Sequence, residues 1–376
     1  MLLGESLPFI RDYVSAINEA IKQQQPGRAL SRLQTYWLSF VILGLLVTNS
    51  VCWSRFERFS VGGYSTAALS WMFCRAKIFW ELLLQASALH LLSRYGITSG
   101  VLVIDDTDKE RSKNTSQIAH AHTIRNKKQG GYFNGQNLVF LLLVTDKLTL
   151  PVGFYFYETD PKQRAWRKED ERLKAQGVER RYRPKAPPAD ERYPGKKTLA
   201  LRLLADFMAT FSAVRVKAVA ADTYYGTQDF MAQAAVITKQ PQVISQIKKN
   251  QLLVVNNQTL TAEAFFKSYA GRSQCLALRG QDKALSYRGG KFKVKSHGKK
   301  YFIIALKYEG ETDYRYLIAS DMSWREEDII KTYALRWLVE VFIEDWKTYE
   351  GWHQLAKQPG EDGSYRGVTL SLLCDH

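Results

Sequence analysis

Paired cysteines are missing from this chain of 376 residues: Cys52, Cys74, Cys275 and Cys374 are scattered, with no CxxC pair. That excludes a disulfide framework and a cysteine zinc site as organising devices. Histidine is scarce too, with six residues, and only His120 and His122 stand close together. Without a third ligand at motif spacing they read as loop or DNA-contact histidines rather than zinc ligands. No apolar run is long enough to cross a bilayer. WLSFVILGLLVT, from Trp37 to Thr48, falls short of the ~20 residues a span needs and is not placed like a secretory signal. It reads as a buried core helix, and no membrane partner is expected. Acid is in deficit: 53 Lys and Arg stand against 37 Asp and Glu, leaving +16. An imbalance of that size points to a polyanionic partner, either nucleic acid or an anionic surface. With 45% hydrophobic and 24% charged residues, wholesale disorder is excluded. The length suits roughly two or three domains, and the chain reads as cytosolic.

Residues 1–95 read as an all-helical N-terminal domain. Apolar residues recur at three- and four-residue spacings in Asp12–Gln25 and Ala67–Tyr95, the mark of helices on a common core. SVGGYST, Ser60 to Thr66, supplies a glycine turn and then helix-start chemistry. Two roles fit such a module on a basic chain: DNA binding, or packing support for the next domain. From Gly100 the period changes. GVLVIDD, NLVFLLLVTD (Asn137 to Asp146) and LTLPVGFYFYE (Leu148 to Glu158) read as strands. A helix at Lys197–Phe211, a strand at Val216–Asp222, a helix at Thr227–Val236 and a strand at Val243–Lys248 come next. Over 96–250 this order predicts an α/β sheet of mixed direction. Residues 251–323 are strand-rich and turn-rich and behave as a β-rich insertion. One long helix is expected over 324–350, and 351–376 reads as a C-terminal stub. Its apolar stretch Val368–Cys374 runs to the end without a cap. The expectation is a truncated chain, poorly anchored after about Trp352.

Basic residues cluster twice. Lys162–Lys197 holds thirteen Lys or Arg against six acids, interleaved with Trp166, Tyr182 and Tyr193, and Tyr287–Lys300 holds six with no acid. Solvated faces and phosphate-binding surfaces both look like this, and two such runs on one basic chain favour the second. Two strands end in aspartate: IDDT carries Asp105 and Asp106, and AADT carries Asp222. Strand-end carboxylates of an α/β sheet face the crevice where ligands collect. In YALRWLVEVFIEDWK, Tyr333, Arg336, Glu340, Glu344 and Lys347 fall within a helical stripe roughly 80° wide. The rest is apolar except Asp345, so this helix is expected to be buried nearly all round. Such a stripe is either a structural ion-pair ladder or a metal carboxylate whose neighbours grip phosphates. Three carboxylates from distant segments, with no histidine cluster, suit Mg²⁺ rather than zinc. Two such ions ~3.5–4 Å apart serve phosphodiester displacement.

Tyr333, Arg336, Glu340 and Lys347 have the spacing Y-x2-R-x3-E-x6-K. On these residues the chain resembles the insertion-sequence-4-type DDE transposases, over about Gly100 to Gly351. Trp337 and Glu344 look similar as well. The family's first catalytic aspartate precedes threonine after an apolar strand, which Asp106 matches better than Asp105, and its second ends the fourth strand, as Asp222 does. The resemblance implies an RNase H-like mixed sheet with a β-rich insertion, here behind the helical N-terminal domain. It implies a DNA transposase that performs cut-and-paste transposition of an insertion sequence by two-metal phosphodiester hydrolysis and strand transfer. Asp106, Asp222 and Glu340 would be catalytic and bind two Mg²⁺ or Mn²⁺ ions, converging in space with Asp105 turned away or serving as a neighbour. Tyr333, Arg336 and Lys347 would hold phosphates of the transposon end. The implied partners are double-stranded DNA, as terminal inverted repeats and target, and a second copy in a homodimer on DNA. The implied location is a prokaryotic cytoplasm, at the nucleoid. Some relatives stack a flipped base on an aromatic residue of the insertion, for which Tyr287, Tyr301, Tyr316 and Trp324 are candidates. Two other classes fit the same residues: a metal-dependent nuclease on the same core, and a truncated or domesticated DNA-binding protein without strand-transfer activity.

Overall fold

The computed structural model describes residues 6–112, 117–126, 129–240, 242–268, 271–278, 281–351 and 359–376. Helix starts obey local chemistry. In α1 (Pro8–Gln24), Pro8 stands in the first turn, and Ile10, Val14, Ile17 and Ile21 form one buried stripe, the spacing of a single helical face. α2 (Arg32–Thr48) begins at Ser31. Its hydroxyl accepts from the Gln34 amide at 3.3 Å while Gln34 Oε1 accepts from the Ser31 amide at 2.8 Å, so two otherwise orphaned amides are satisfied together. Trp37 to Leu45 are buried in α2, as a core helix requires. α3 (Trp53–Phe59), α4 (Thr66–Arg75) and α5 (Trp80–Arg94) complete the helical region. Among the described residues no single helix is long and apolar enough to cross a membrane.

Strands then alternate with helices: β1 (Ser99–Glu110), β2 (His122–Arg125), β3 (Tyr132–Val144), β4 (Thr149–Tyr157), α6 (Pro161–Ala175), α7 (Lys196–Thr210), β5 (Arg215–Ala221), α8 (Gln228–Thr238) and β6 (Val243–Ile247). β1 is antiparallel to β3 and parallel to β5, and β6 is parallel to β5. β4 lies on the outer edge of β3, so the order across this part is β4-β3-β1-β5-β6. The chain continues as β7 (Leu252–Val255), β8 (Gln258–Thr261), α9 (Ala262–Lys267), β9 (Arg272–Leu278), β10 (Gln281–Val294), β11 (Lys300–Tyr308) and β12 (Arg315–Ala319). β12 pairs antiparallel with β6. This segment therefore prolongs the same mixed sheet, which counts twelve strands among the described residues. The protein is of the mixed α/β class.

The long helix expected over 324–350 is two helices, α10 (Glu326–Ala334) and α11 (Trp337–Tyr349). At the junction the amides of Leu335, Arg336, Leu338 and Val339 reach back three residues instead of four, a tightened turn that redirects the axis. Burial all round is also corrected. α11 lies over one side of the sheet, so Val339, Phe342 and Trp346 are buried, the last two against Phe140 of β3. Trp337 and Val341, on the far side, are exposed.

The chain end differs from expectation as well. Residues 352–358 lie outside the described residues, but Gly360–Asp375 forms α12, with Val368, Leu370, Leu372 and Leu373 buried. The Tyr13 hydroxyl donates to the Leu373 carbonyl at 3.1 Å, and the His376 ring meets Ser87 Oγ at 2.7 Å and the Pro151 carbonyl at 2.9 Å. The expectation of poor anchoring is overturned because the apolar stripe finds its partner surface in the N-terminal helices, far away in sequence. Three cores result among the described residues: one on each face of the sheet around β1, and a third where α10 packs on β6 and β9 to β12. Val101 and Val103 of β1 join the N-terminal helices, α11 and α12, whereas Leu102 and Ile104 join α7 and α8. That alternation is the two-residue period of a strand, and it governs what happens at the next two positions.

Candidate active site

Parallel pairing sets Ile104 of β1 beside Ala221 of β5, so Asp105 and Asp222 leave neighbouring strands at the same level. Asp222 Oδ1 accepts from the Tyr224 amide at 2.9 Å, and its carbonyl accepts from Ser245 Oγ at 2.6 Å. Gly226 closes this turn against β6. A Cβ there would lie 2.3 Å from the Gln246 carbonyl oxygen, so glycine is required by close approach rather than by φ.

Asp105 and Asp106 take opposite faces, as consecutive strand residues must. Asp105 lies on the α11 side, where Arg336 Nη1 donates to its Oδ2 at 2.9 Å and the Asp106 amide to its Oδ1 at 2.8 Å. The second arm of the same guanidinium, Nη2, donates to Glu340 Oε1. Arg336 thus ties the strand acid to the helix acid. Burial pushes the Asp105 carboxyl up to about 7, against the opposing pull of Arg336. Asp106 lies on the α7 side. Its Oδ2 accepts from Lys196 Nζ at 2.6 Å and from Asn137 Nδ2 at 3.1 Å, and Asn137 also donates to Asp108. Lys196 opens α7 with its ammonium 5.2 Å from the centre of the Tyr157 ring. Burial raises Asp222, and the charges of Asp106 and Arg336 both act on it. The strand ends therefore bring Asp105, Asp106 and Asp222 together, and Arg336 brings Glu340. Of the two places expected for Asp105, turned away or a neighbour, it takes the second: it is the strand acid joined through Arg336 to the helix of Glu340, while Asp106 is joined to α7.

Tyr333 is buried in α10 beside Arg336, with Asp222 and Asp105 acting on its hydroxyl, which burial raises. Lys347 stands two turns beyond Glu340. It lies near Lys109 of β1, whose ammonium is pushed down to about 6 by burial and then by the charges of Arg111 and Lys347. A cavity of about 510 Å³ opens next to Arg336, lined by Tyr333, Trp337, Gln246, Lys283, Tyr308 and Arg315. Tyr287, Tyr301 and Tyr316 are core residues whose rings cannot meet a base, because their strand positions point inward. Trp324 is half-buried. His120 bonds Glu158 at 2.6 Å and stacks on Phe156, which makes it a structural loop residue.

The donors at the strand ends are carboxylate oxygens, the set that hard divalent cations take. Chemically they fit such an ion. As the chain stands, no three Asp, Glu, His or Cys side chains among the described residues are placed to hold one. Arg336 sits between Asp105 and Glu340, and Lys196 sits against Asp106, so the protein's own cations occupy those carboxylates. Sequence reasoning missed Lys196, Asn137 and Ser245. Lys196 lies inside a basic run and Asn137 inside an apolar one, so neither carries a spacing signal of its own.

A basic chain with acids gathered at adjacent strand ends has the organisation of a nuclease-type enzyme. The family described as DDE superfamily endonuclease matches residues 61–279, more than half of the chain, and the chain belongs to that family. The matched segment contains Asp105, Asp106 and Asp222 and stops before Glu340. No curated protein matches the sequence. Among solved structures the chain is similar to the NurA nuclease from Sulfolobus solfataricus, with 8% identity over 63% of this chain and 72% of that one and a TM-score of 0.29. It is also similar to the Drosophila P element transposase in its strand transfer complex, with 10% identity, 69% of this chain, 54% of that one and a TM-score of 0.27. Likenesses this loose bear on neither mechanism nor partner.

Proposed function

We propose that this protein is a DNA transposase of the DDE type, acting on double-stranded DNA by phosphodiester hydrolysis and strand transfer on an RNase H-like core. The observation that carries the reading is the meeting of Asp105, Asp106 and Asp222 at adjacent strand ends with Arg336 linking them to Glu340. Strand order β4-β3-β1-β5-β6 with helical crossovers supports the core. Asp106, Asp222 and Glu340 are the residues to hold two divalent ions, Mg²⁺ or Mn²⁺. Bound there, the ions would activate a water or 3′-hydroxyl and stabilise the leaving oxygen. Arg336 supplies the fixed positive charge beside these acids, with Asp105 as the residue that positions it. Tyr333 packs under that guanidinium, and Lys347 offers a further cation along the same helix for a phosphate of the transposon end. The work would be done as a dimer on terminal inverted repeats, at the nucleoid of a prokaryotic cytoplasm.

The test is Glu340→Gln, which keeps shape and removes a charge. Mg²⁺-dependent cleavage of duplex ends should fall more than about a hundredfold, with duplex affinity retained. Cleavage at the wild-type rate would remove Glu340 from the chemistry. The family's own description favours one second reading, an endonuclease on the same core. Cleavage without joined products, with both ends and target supplied, would select it.

A further inference from the structure

α6 buries none of its fifteen residues. Such a helix has no packing reason to exist, since most helical stability in proteins comes from an apolar face held against a core. It is held instead by the strap of chain after it. Trp166 Nε1 donates to the Pro184 carbonyl at 2.7 Å, Gln163 Nε2 donates to the Pro187 carbonyl at 2.5 Å, and Arg183 Nη1 bonds both oxygens of Asp170 at 3.1 Å. Gln163, Trp166 and Asp170 lie on one side of the helix, so the strap covers that side and leaves the opposite one bare. At 100° per residue, Arg164, Arg167, Lys168 and Lys174 span about 120° of the uncovered surface, which begins beside Gln163. All four are exposed. Glu171 is the one acid among them, and Glu169 is already occupied by Arg172.

The neighbouring cations are used internally: Arg172 on Glu169, Arg183 on Asp170, Arg192 on Asp190 and Arg181 on Glu179. The side chains of Arg164, Arg167, Lys168 and Lys174 make no hydrogen bond or ion pair within the described residues. The structure thus separates cations that build the arm from four that face outward together on α6, with Lys162, Arg180 and Lys185 exposed around them. The arm is also tethered at the site. It leaves β4 through Asp160, whose Oδ1 accepts from the Lys162 amide at 2.8 Å, and it returns at Lys196, which bonds Asp106.

We infer that α6 is a phosphate-binding arm that grips duplex DNA outside the cleavage centre, through Arg164, Arg167, Lys168 and Lys174. The inference rests on the reading of the protein as acting on DNA, and charge complementarity selects the partner. An exposed stripe of uncompensated cations neutralises phosphates and releases counterions, without reading sequence.

The test uses the full chain in EDTA with a short fluorescent duplex of arbitrary sequence, and measures the dissociation constant against salt. Each phosphate contact contributes roughly 0.9 to the log–log slope. Replacing all four residues by alanine should lower the slope by roughly 3.6 and weaken binding more than about tenfold at low salt. Thermal stability should be unchanged, because the arm buries nothing. Glutamine in place of alanine guards against loss of the helix and should act alike, while lysine at Arg164 and Arg167 should preserve the slope. Arg172→Ala should change the slope little. An unchanged slope in the fourfold variants, with salt-dependent binding and cleavage intact in the wild type, overturns the arm and leaves the DNA reading standing. A wild-type chain that does not bind duplex at all overturns both, and so does the same slope on phosphatidylserine vesicles with none on DNA.

Discussion

Arg336 is bonded to two acids at once, and Lys196 to one. Removing either cation leaves half-buried carboxylate charge without its ion-pair partner, and such charges are where single substitutions have large effects. Lys196→Met is expected to cost about 2 kcal/mol in urea unfolding with EDTA present. A variant as stable as the wild type would show that water already screens this pair. The two strand aspartates separate by the same logic. Asp106→Asn should abolish cleavage, whereas Asp105→Asn, which releases one arm of Arg336, should reduce it about 10–100-fold as a positioning change. Equal effects would merge the two roles. The DT pattern made these acids legible in the sequence, and the Y-x2-R-x3-E-x6-K spacing singled out Arg336. Their pairing was not legible, because opposite strand faces lead to partners on α11 and α7, both distant along the chain.

The turn after β5 shows how an element holds an acid in place. Asp222 is fixed by its own turn, by Ser245 and by the pressure of Gly226 on β6. His297 Nε2 also meets the Gly226 carbonyl at 3.0 Å. Gly226→Ala has to move backbone, since the new methyl would fall against the Gln246 carbonyl. The expected loss is about 1–3 kcal/mol, read as a lower Tm together with weaker cleavage. A variant unchanged in both would show that the turn yields without moving Asp222. The strands and crossover helices were legible from apolar runs and their period. The break between α10 and α11 was not: its tightened hydrogen bonds involve leucine, arginine and valine, with no proline or glycine to mark it.

On the scale of the whole molecule, α12 closes one face of the sheet and brings Asp375 beside Glu350 at the end of α11. Burial raises both carboxyls; the Asp375 charge lifts Glu350 further, the hydrogen bond with Glu350 holds Asp375 back, and Asp345 adds a third negative charge nearby. The folded chain therefore keeps protons that the unfolded chain releases above about pH 4. Unfolding then releases protons, so this contribution is fully present in acid and is lost as pH rises. Measured against Glu350→Gln, wild-type Tm should fall from mildly acid to mildly alkaline solution, the variant being the more stable at the alkaline end. A Glu350→Gln Tm that follows the wild-type course across that range would mean the pair is ionised in the fold.

By itself the sequence determined the class of the chain. Alternation of apolar runs specifies strands, amphipathic spacing specifies helices, and the charge balance and acid pattern point to a site facing polyanions. Those signals are local, carried within a few residues of one another. Tertiary structure alone decided which acid meets which cation, which of the many lysines and arginines face outward on α6, and that Val368–Leu373 is covered rather than bare. Each of these depends on segments distant along the chain lying side by side, and no periodicity within a segment encodes its neighbour across the sheet.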